Sequence, residues 1–323
     1  MRENCKRMRN RIFCLIVSFA LSFVLCAVEI PLLRRLHAGQ HILKYVKEHE
    51  KKSGTPTMGG LGFILSACAV APIFTREADK PFYVTIAVGL GYLLVGFLDD
   101  LLKKIRKDNL GLRPYQKIFF QVAVAVIASV YACMNGMTRL YLPFTQKTVE
   151  LGWWMFPLGL LVFLATVNSV NLTDGLDGLA GSVCGVFFLV FAMLLPLQGQ
   201  GGALSNLCVC LTGALAAFLI FNVNRASVFM GDTGSLSLGG FASAIALFTG
   251  NALILPFVGI TFVLSSISVI LQVIYYKKTG KRIFLMAPIH HHFQQKGFSE
   301  GKIAYVYSAV TAMMGALCIM PFV

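Results

Sequence analysis

Charge is scarce in this 323-residue chain: Asp, Glu, Lys and Arg together make up 13% of it, against about 25% in soluble domains. So few polar groups cannot cover a water-facing surface, which excludes a soluble globular fold. A hydrophobic content of 57% and a mean hydropathy of +0.74 exclude a disordered or fibrous chain as well. Acidic residues are the scarcest, 14 against 28 Lys and Arg, giving a net charge of +14. In a soluble protein that balance would point to nucleic acid. In so apolar a chain, basic loops at anionic headgroups or an anionic substrate explain it better, and no nucleic-acid partner is expected. The nine cysteines are odd in number, lack any CxxC spacing and fall mostly inside apolar runs, so neither a disulfide framework nor a zinc site is supported. Internal repeats and interdomain linkers are missing too, and residues 1–323 read as a single transmembrane domain.

Long apolar runs are what the chain does have. A bilayer core about 30 Å thick takes about 20 apolar residues per helix. Runs at 12–33, 58–75, 81–98, 118–134, 151–167, 178–197, 203–221, 235–249, 252–276 and 303–322 meet or approach that length. The expected fold is therefore all-α, a polytopic integral membrane protein of about ten transmembrane helices. The 151–167 and 235–249 runs are short and flanked by glycine, which marks them as tilted or broken. A basic tail (Arg2, Lys6, Arg7, Arg9, Arg11) precedes the first run and mimics a signal peptide. That run has no small-residue cleavage site and further spans follow, so it reads as a retained helix.

Ten spans put both termini on one face and loops 34–57, 99–117, 168–177, 222–234 and 277–301 on the other. Those five loops hold 18 of the 28 Lys and Arg residues, which makes their face cytoplasmic by the positive-inside rule, although the basic tail argues the other way. All six histidines lie in the same loops, as does every aspartate except Asp79. Groups able to bind a metal or move a proton are thus gathered at one membrane surface, the distribution expected of an active site there.

Five segments carry candidate chemistry. Asp99 and Asp100 end the third span in GFLDDLLKK. Adjacent carboxylates at the edge of hydrocarbon repel each other and call for a counter-cation. Mg²⁺, a hard ion held by carboxylates and phosphate oxygens, is the natural one; the plain alternative is pairing with Lys103, Lys104, Arg106 and Lys107. NSVNLTDGLDGLAG (168–181) spaces Asn171, Asp174 and Asp177 three apart, so a helical stretch would set them on one face. Its plain alternative makes Asp174 an N-cap and the glycines packing residues. In FNVNRASVFMGDTGSLSLGG (221–240), the Gly231–Ser235 turn precedes an apolar run, so free N–H groups at a helix start can meet an anion, with Asp232 as metal ligand or base. Capping by Asp232 or Thr233 is the alternative there. APIHHHF (287–293) holds His290, His291 and His292. Three consecutive side chains diverge by about 100° each on a helix, which disfavours zinc and suits phosphate contacts or partners of the acids. KKSGTPTMGG (51–60) offers lysines and a turn to a diphosphate or to lipid headgroups. Lys117 is a phosphate ligand or a snorkelling lysine, and Glu29, near the end of the first span, is given no role.

GTPTMGG (54–60), DDLLK (99–103), NSVNLTDGLDGLAG, FMGDTGSLSLGG (229–240) and APIHHHF, taken in this order, resemble the polyprenyl-phosphate N-acetylhexosamine-1-phosphate transferases. The resemblance runs from about residue 34 to the C-terminus. It implies a ten-helix enzyme with a cytoplasmic Mg²⁺ site in a bacterial inner membrane. The His₃ and PTMGG motifs imply transfer of phospho-MurNAc-pentapeptide from UDP-MurNAc-pentapeptide to undecaprenyl phosphate, forming lipid I and UMP for peptidoglycan synthesis. By the same resemblance Asp99, Asp100, Asp232 and His290 are catalytic, and Asp232 and Asp100 hold the metal. Lys52 (or Lys51, one register away), Lys117, Asn171, Asp174, Asp177, Phe229, His291 and His292 bind substrate. Membrane lipids are further partners, with a homodimer left open. Two residues depart from the family pattern: Gln294, where Glu usually follows the histidines, and Arg225, where Pro is common. The competing readings are a related transferase using UDP-GlcNAc, an ion-coupled transporter and a membrane phosphatase. Against the transporter, the aspartates sit at span ends rather than at mid-bilayer.

Overall fold

A computed structural model of the chain describes residues 2–36, 54–75, 78–106, 111–200 and 202–323. Twelve α-helices run through these residues: α1 Arg2–Arg35, α2 Gly60–Phe74, α3 Lys80–Arg106, α4 Pro114–Met134, α5 Met155–Thr173, α6 Leu179–Leu197, α7 Gly202–Asn222, α8 Gly231–Phe248, α9 Leu255–Val258, α10 Ile260–Thr279, α11 Ile289–Gln295 and α12 Glu300–Ile319. Among the described residues, eight helices are long and apolar enough to cross a membrane, and α2 is a shorter apolar one. With α8, these match the ten expected runs, and the fold is the expected all-α, multi-pass membrane protein.

The 252–276 run is not one helix. Pro256 sits in the first turn of the four-residue α9, and Gly259 leaves helical geometry at φ −88° and ψ 29° before α10 begins. Pro256, which lacks an N–H, is tolerated in that first turn, so the joint falls at Gly259, and an apolar sequence conceals it. A short antiparallel hairpin, β1 Arg139–Tyr141 with β2 Thr148–Glu150, adds strand structure that no apolar run announced.

The centre of the bundle is α8, buried at every residue from Thr233 to Phe248 and packed mainly against α3 and α5. Serine and glycine let this happen. Ser237 Oγ donates to the Gly89 carbonyl of α3 at 2.9 Å. A Cβ on Gly96 of α3 would lie 2.1 Å from the Asp232 carbonyl oxygen, and one on Gly60 of α2 would lie 2.3 Å from the Gly234 nitrogen. With lipid outside and no water to exclude, membrane helices associate through such close backbone approach. The three contacts bring the ends of α2, α3 and α8 together on one face of the bundle.

Candidate active site

Asp232 is the second residue of α8, where a carboxylate would ordinarily cap its own helix. It does not. Its Oδ2 accepts from Lys103 Nζ of α3 and from Lys117 Nζ of α4, both at 2.8 Å, and its Oδ1 accepts from Asn171 Nδ2 of α5 at 2.6 Å. The helix N-terminus is capped from outside: Asp100 Oδ2 accepts from the Thr233 N–H at 3.0 Å and the Thr233 hydroxyl at 2.7 Å. Asp100 thereby meets the positive end of the α8 dipole. Gly231, at φ +69°, makes the turn possible, because a Cβ there would strike Asp100 Oδ2 at 2.4 Å.

Asp99 and Asp100 are both buried. Asp99 Oδ2 lies 2.6 Å from Lys103 Nζ, one helical turn away, and its Oδ1 accepts from the Leu112 N–H at 2.8 Å. Oxygens of Asp99, Asp100 and Asp232 all fall within 4.8 Å of one another. Three carboxylates face two ammonium groups, and a cation would offset the mutual repulsion of the carboxylates. Oxygen-only donors from carboxylates fit a hard divalent ion. Lys103 is the member that sequence reading underrated. The i, i+4 spacing to Asp99 announced a local pair, but its contact with Asp232, from another helix, could not be read along the chain.

Asn171, Asp174 and Asp177 do not share a helical face. Helix α5 ends at Thr173, Asp174 is its C-terminal cap, and a turn closed by Gly178 at φ +73° leads into α6. Three glycines in seven residues favour that turn over a continuous helix. Asn171 stays on α5 and reaches Asp232. Asp174 accepts no hydrogen bond among the described residues. Burial, then the charges of Asp232, Asp100 and Asp177, push its carboxyl well above the usual range. Asp177 ties loops together instead: its Oδ2 accepts from the Ala226 N–H at 3.0 Å, and its own N–H donates to Glu300 Oε2 at 2.7 Å. Glu300, at the start of α12, had given no functional sign in the sequence.

The histidines split as a helix requires. His290 and His291 point to the turn, since a Cβ on Gly175 would lie 2.5 Å from His290 Nε2 and 2.8 Å from His291 Nε2. His292 faces away, accepting from the Leu285 N–H at 3.2 Å. His291 Nδ1 lies 3.0 Å from Gln294 Oε1, and Gln294 in turn donates to Glu300 Oε1 at 3.2 Å. His290 is 0% exposed, with neither ring nitrogen hydrogen-bonded. Burial, with His291 adjacent, pushes it down to about 3, so the ring is neutral. Phe229 is half-buried in the segment before α8; its N–H donates to the Pro56 carbonyl at 2.8 Å and its carbonyl accepts from the Gly59 N–H at 2.9 Å. The GTPTMGG turn is thus stitched to the α8 entry. Lys52 lies outside the described residues.

A polytopic bundle with clustered carboxylates and lysines at its helix ends defines a class of membrane enzyme, and the chain belongs to glycosyl transferase family 4, whose profile matches residues 82–250. Relatives narrow the class. The phospho-N-acetylmuramoyl-pentapeptide-transferase of Clostridium botulinum (strain Alaska E43 / Type E3) is 44% identical over 316 residues, covering 96% of this chain and 94% of its own length. The protein of the same name from Bacillus subtilis (strain 168) is 42% identical over 311 residues, covering 95% and 96%. That from Geobacillus thermodenitrificans (strain NG80-2) is 42% identical over 306 residues, covering 93% and 94%.

Proposed function

We propose that this chain transfers phospho-N-acetylmuramoyl-pentapeptide from UDP-MurNAc-pentapeptide to undecaprenyl phosphate, forming lipid I and UMP at the cytoplasmic face of a bacterial membrane. The observation that carries the reading is the meeting of Asp99, Asp100 and Asp232 within 4.8 Å of one another, beside Lys103 and Lys117. The name shared by the relatives supports the substrate, and the basic loops on the same side support the face.

The reaction joins two anions, so their charges must be offset before they approach. Lys117 and Lys103 already stand at Asp232, 2.8 Å away, and are positioned to take diphosphate oxygens. Asp232 and Asp100 would hold Mg²⁺, which when bound offsets the charge of the diphosphate and of the departing UMP. Asp99 takes the proton of the lipid phosphate. An oxygen of that phosphate then attacks the β-phosphorus of the nucleotide substrate; the new P–O bond forms as the bond to the α-phosphate oxygen breaks, and UMP leaves with the electron pair. Asn171 holds Asp232 in register through the opposite oxygen. Lys52 would take substrate phosphate, Asp174, Asp177 and Phe229 would meet the nucleotide, and His290, His291 and His292 would make further substrate contacts.

Lipid I formation by Asp99→Asn, Asp100→Asn and Asp232→Asn, with Mg²⁺ titrated, tests the assignment; full activity in all three rejects it. Offering radiolabelled UDP-GlcNAc beside UDP-MurNAc-pentapeptide decides the substrate. A phosphorylated aspartate trapped with the nucleotide substrate alone would replace the single displacement by a two-step route.

A further inference from the structure

We propose that the hairpin joining α10 to α11, residues 277–285, docks on the phosphate headgroups of anionic phospholipids and through them anchors the histidine helix. Four cations stand within six residues, Lys277, Lys278, Lys281 and Arg282, all exposed, and no Asp or Glu occurs between Asp232 and Glu300. None of the three lysines forms an ion pair among the described residues. The cluster directly continues a membrane-crossing helix, the setting in which polybasic segments meet anionic lipid.

The segment is built rather than loose. Gly280, at φ +68°, ends α10 in a left-handed turn and sends the chain back along the helix. Gln272 clamps the return: its Oε1 accepts from the Ile283 N–H at 3.1 Å and the Phe284 N–H at 3.0 Å, and its Nε2 donates to the Phe284 carbonyl at 3.2 Å. Lys277 is five positions beyond Gln272 on α10, so the clamp lies about 8 Å deeper along the axis than the lysines. Between clamp and lysines Ile274 and Tyr275 are exposed on α10, and Ile283 and Leu285 are exposed on the returning strand of chain. An apolar base below a cationic tip matches the order of acyl chain and headgroup across one leaflet.

One contact carries the position of this hairpin to α11, and a second ties α11 to α10. The Leu285 N–H donates to His292 Nδ1 at 3.2 Å, and the Ile289 N–H donates to Ser268 Oγ of α10 at 2.9 Å. Holding the hairpin at the headgroups therefore holds the helix whose other histidines border Gly175.

The test uses the full chain in nanodiscs of pure phosphatidylcholine, or of phosphatidylcholine mixed with phosphatidylglycerol. Wild type is compared with K277Q/K278Q/K281Q/R282Q and with the charge-conserving K277R/K278R/K281R/R282K. Native mass spectrometry counts retained phosphatidylglycerol, and lipid I formation gives turnover. Wild type and the charge-conserving variant retain the anionic lipid, and their turnover rises with its content. The neutral variant loses retention by about fivefold per cation removed, and its turnover stays at the wild-type value in pure phosphatidylcholine. Retention by the neutral variant equal to wild type, or loss in the charge-conserving one, overturns the docking. Retention lost with the rise in turnover kept overturns the anchoring of α11.

Discussion

Each carboxylate of the aspartate centre has a described partner, whereas the fully buried ring of His290, on the same face of the bundle, has none on either nitrogen. The two regions meet at one turn, with Asp174 on one side of Gly175 and the histidines against its other side. Asp99 and Asp232 are held by lysines and Asp100 by the start of α8, each at a fixed position. Burial works against the charged form of both His290 and Asp174. One region fixes its carboxylates among ammonium and N–H donors; the other buries titratable groups without such donors. A site that brings two anions together needs the first to bind cations, and the second to add no stray charge.

The strongest way to break the contrast is to remove charge from the first region. Asp232→Asn keeps the shape and leaves Lys103 and Lys117 without their shared anion. UMP release should fall about 10²–10³-fold, as when one preorganised electrostatic group is lost, while thermal unfolding in detergent changes little. Next in size is Gly96→Ala. Its Cβ would sit 2.1 Å from the Asp232 carbonyl oxygen, and backbone cannot yield as a flexible side chain can. Overpacking of this kind costs about 1–3 kcal/mol, and because it pries α3 from α8, both the unfolding temperature and turnover should drop. Unchanged turnover would mean that the two helices need not touch for the aspartates to work.

Reading the chain alone recovers the first region better than the second, for physical reasons. Carboxylates are conspicuous in a chain with 14 acidic residues, and their place at span ends follows from hydropathy. What joins them is long-range: Lys117 and Asp232 are 115 residues apart, and no local pattern encodes that meeting. The helical face expected for Asn171, Asp174 and Asp177 failed because spacing was weighed above Gly175 and Gly178, which end the helix. Likewise the break before α10 was hidden, since Gly259 sits in an otherwise unbroken apolar run. Glu300 resembled an ordinary acidic first turn of a helix, and its bonds to Asp177 and Gln294 come from folding alone.

The second region can be sharpened with pH. His290 titrates at about 3 when folded, against an ordinary 6.5; between those values the unfolded chain binds more protons, so its contribution to stability rises with pH. Asp174 is displaced upward from 3.8, so the folded chain binds more protons above that value and its contribution falls as pH rises. Above about pH 4 the two oppose each other. Asp174→Asn should leave a stability that climbs with pH, and His290→Phe one that declines, each with a slope on the order of 1 kcal/mol per pH unit. Parallel curves for the two variants would show that these groups are not held neutral.

The smallest effect is expected where the two regions are only fastened together. Glu300 accepts from the Asp177 N–H and from Gln294, and Gln294 meets His291, so one carboxylate links the turn, the histidine helix and α12. Glu300→Gln retains an acceptor for the Asp177 N–H but weakens both bonds by removing the charge, a change of about 1 kcal/mol or less. With the chemistry at the aspartates, as proposed, kcat should hold while KM for the nucleotide substrate rises a fewfold; Glu300→Ala, which leaves the N–H unpaired, should raise it further. If kcat falls instead and KM does not move, the turn serves the reacting phosphates directly, and the division between a charge-bearing centre and a neutral border would have to be redrawn.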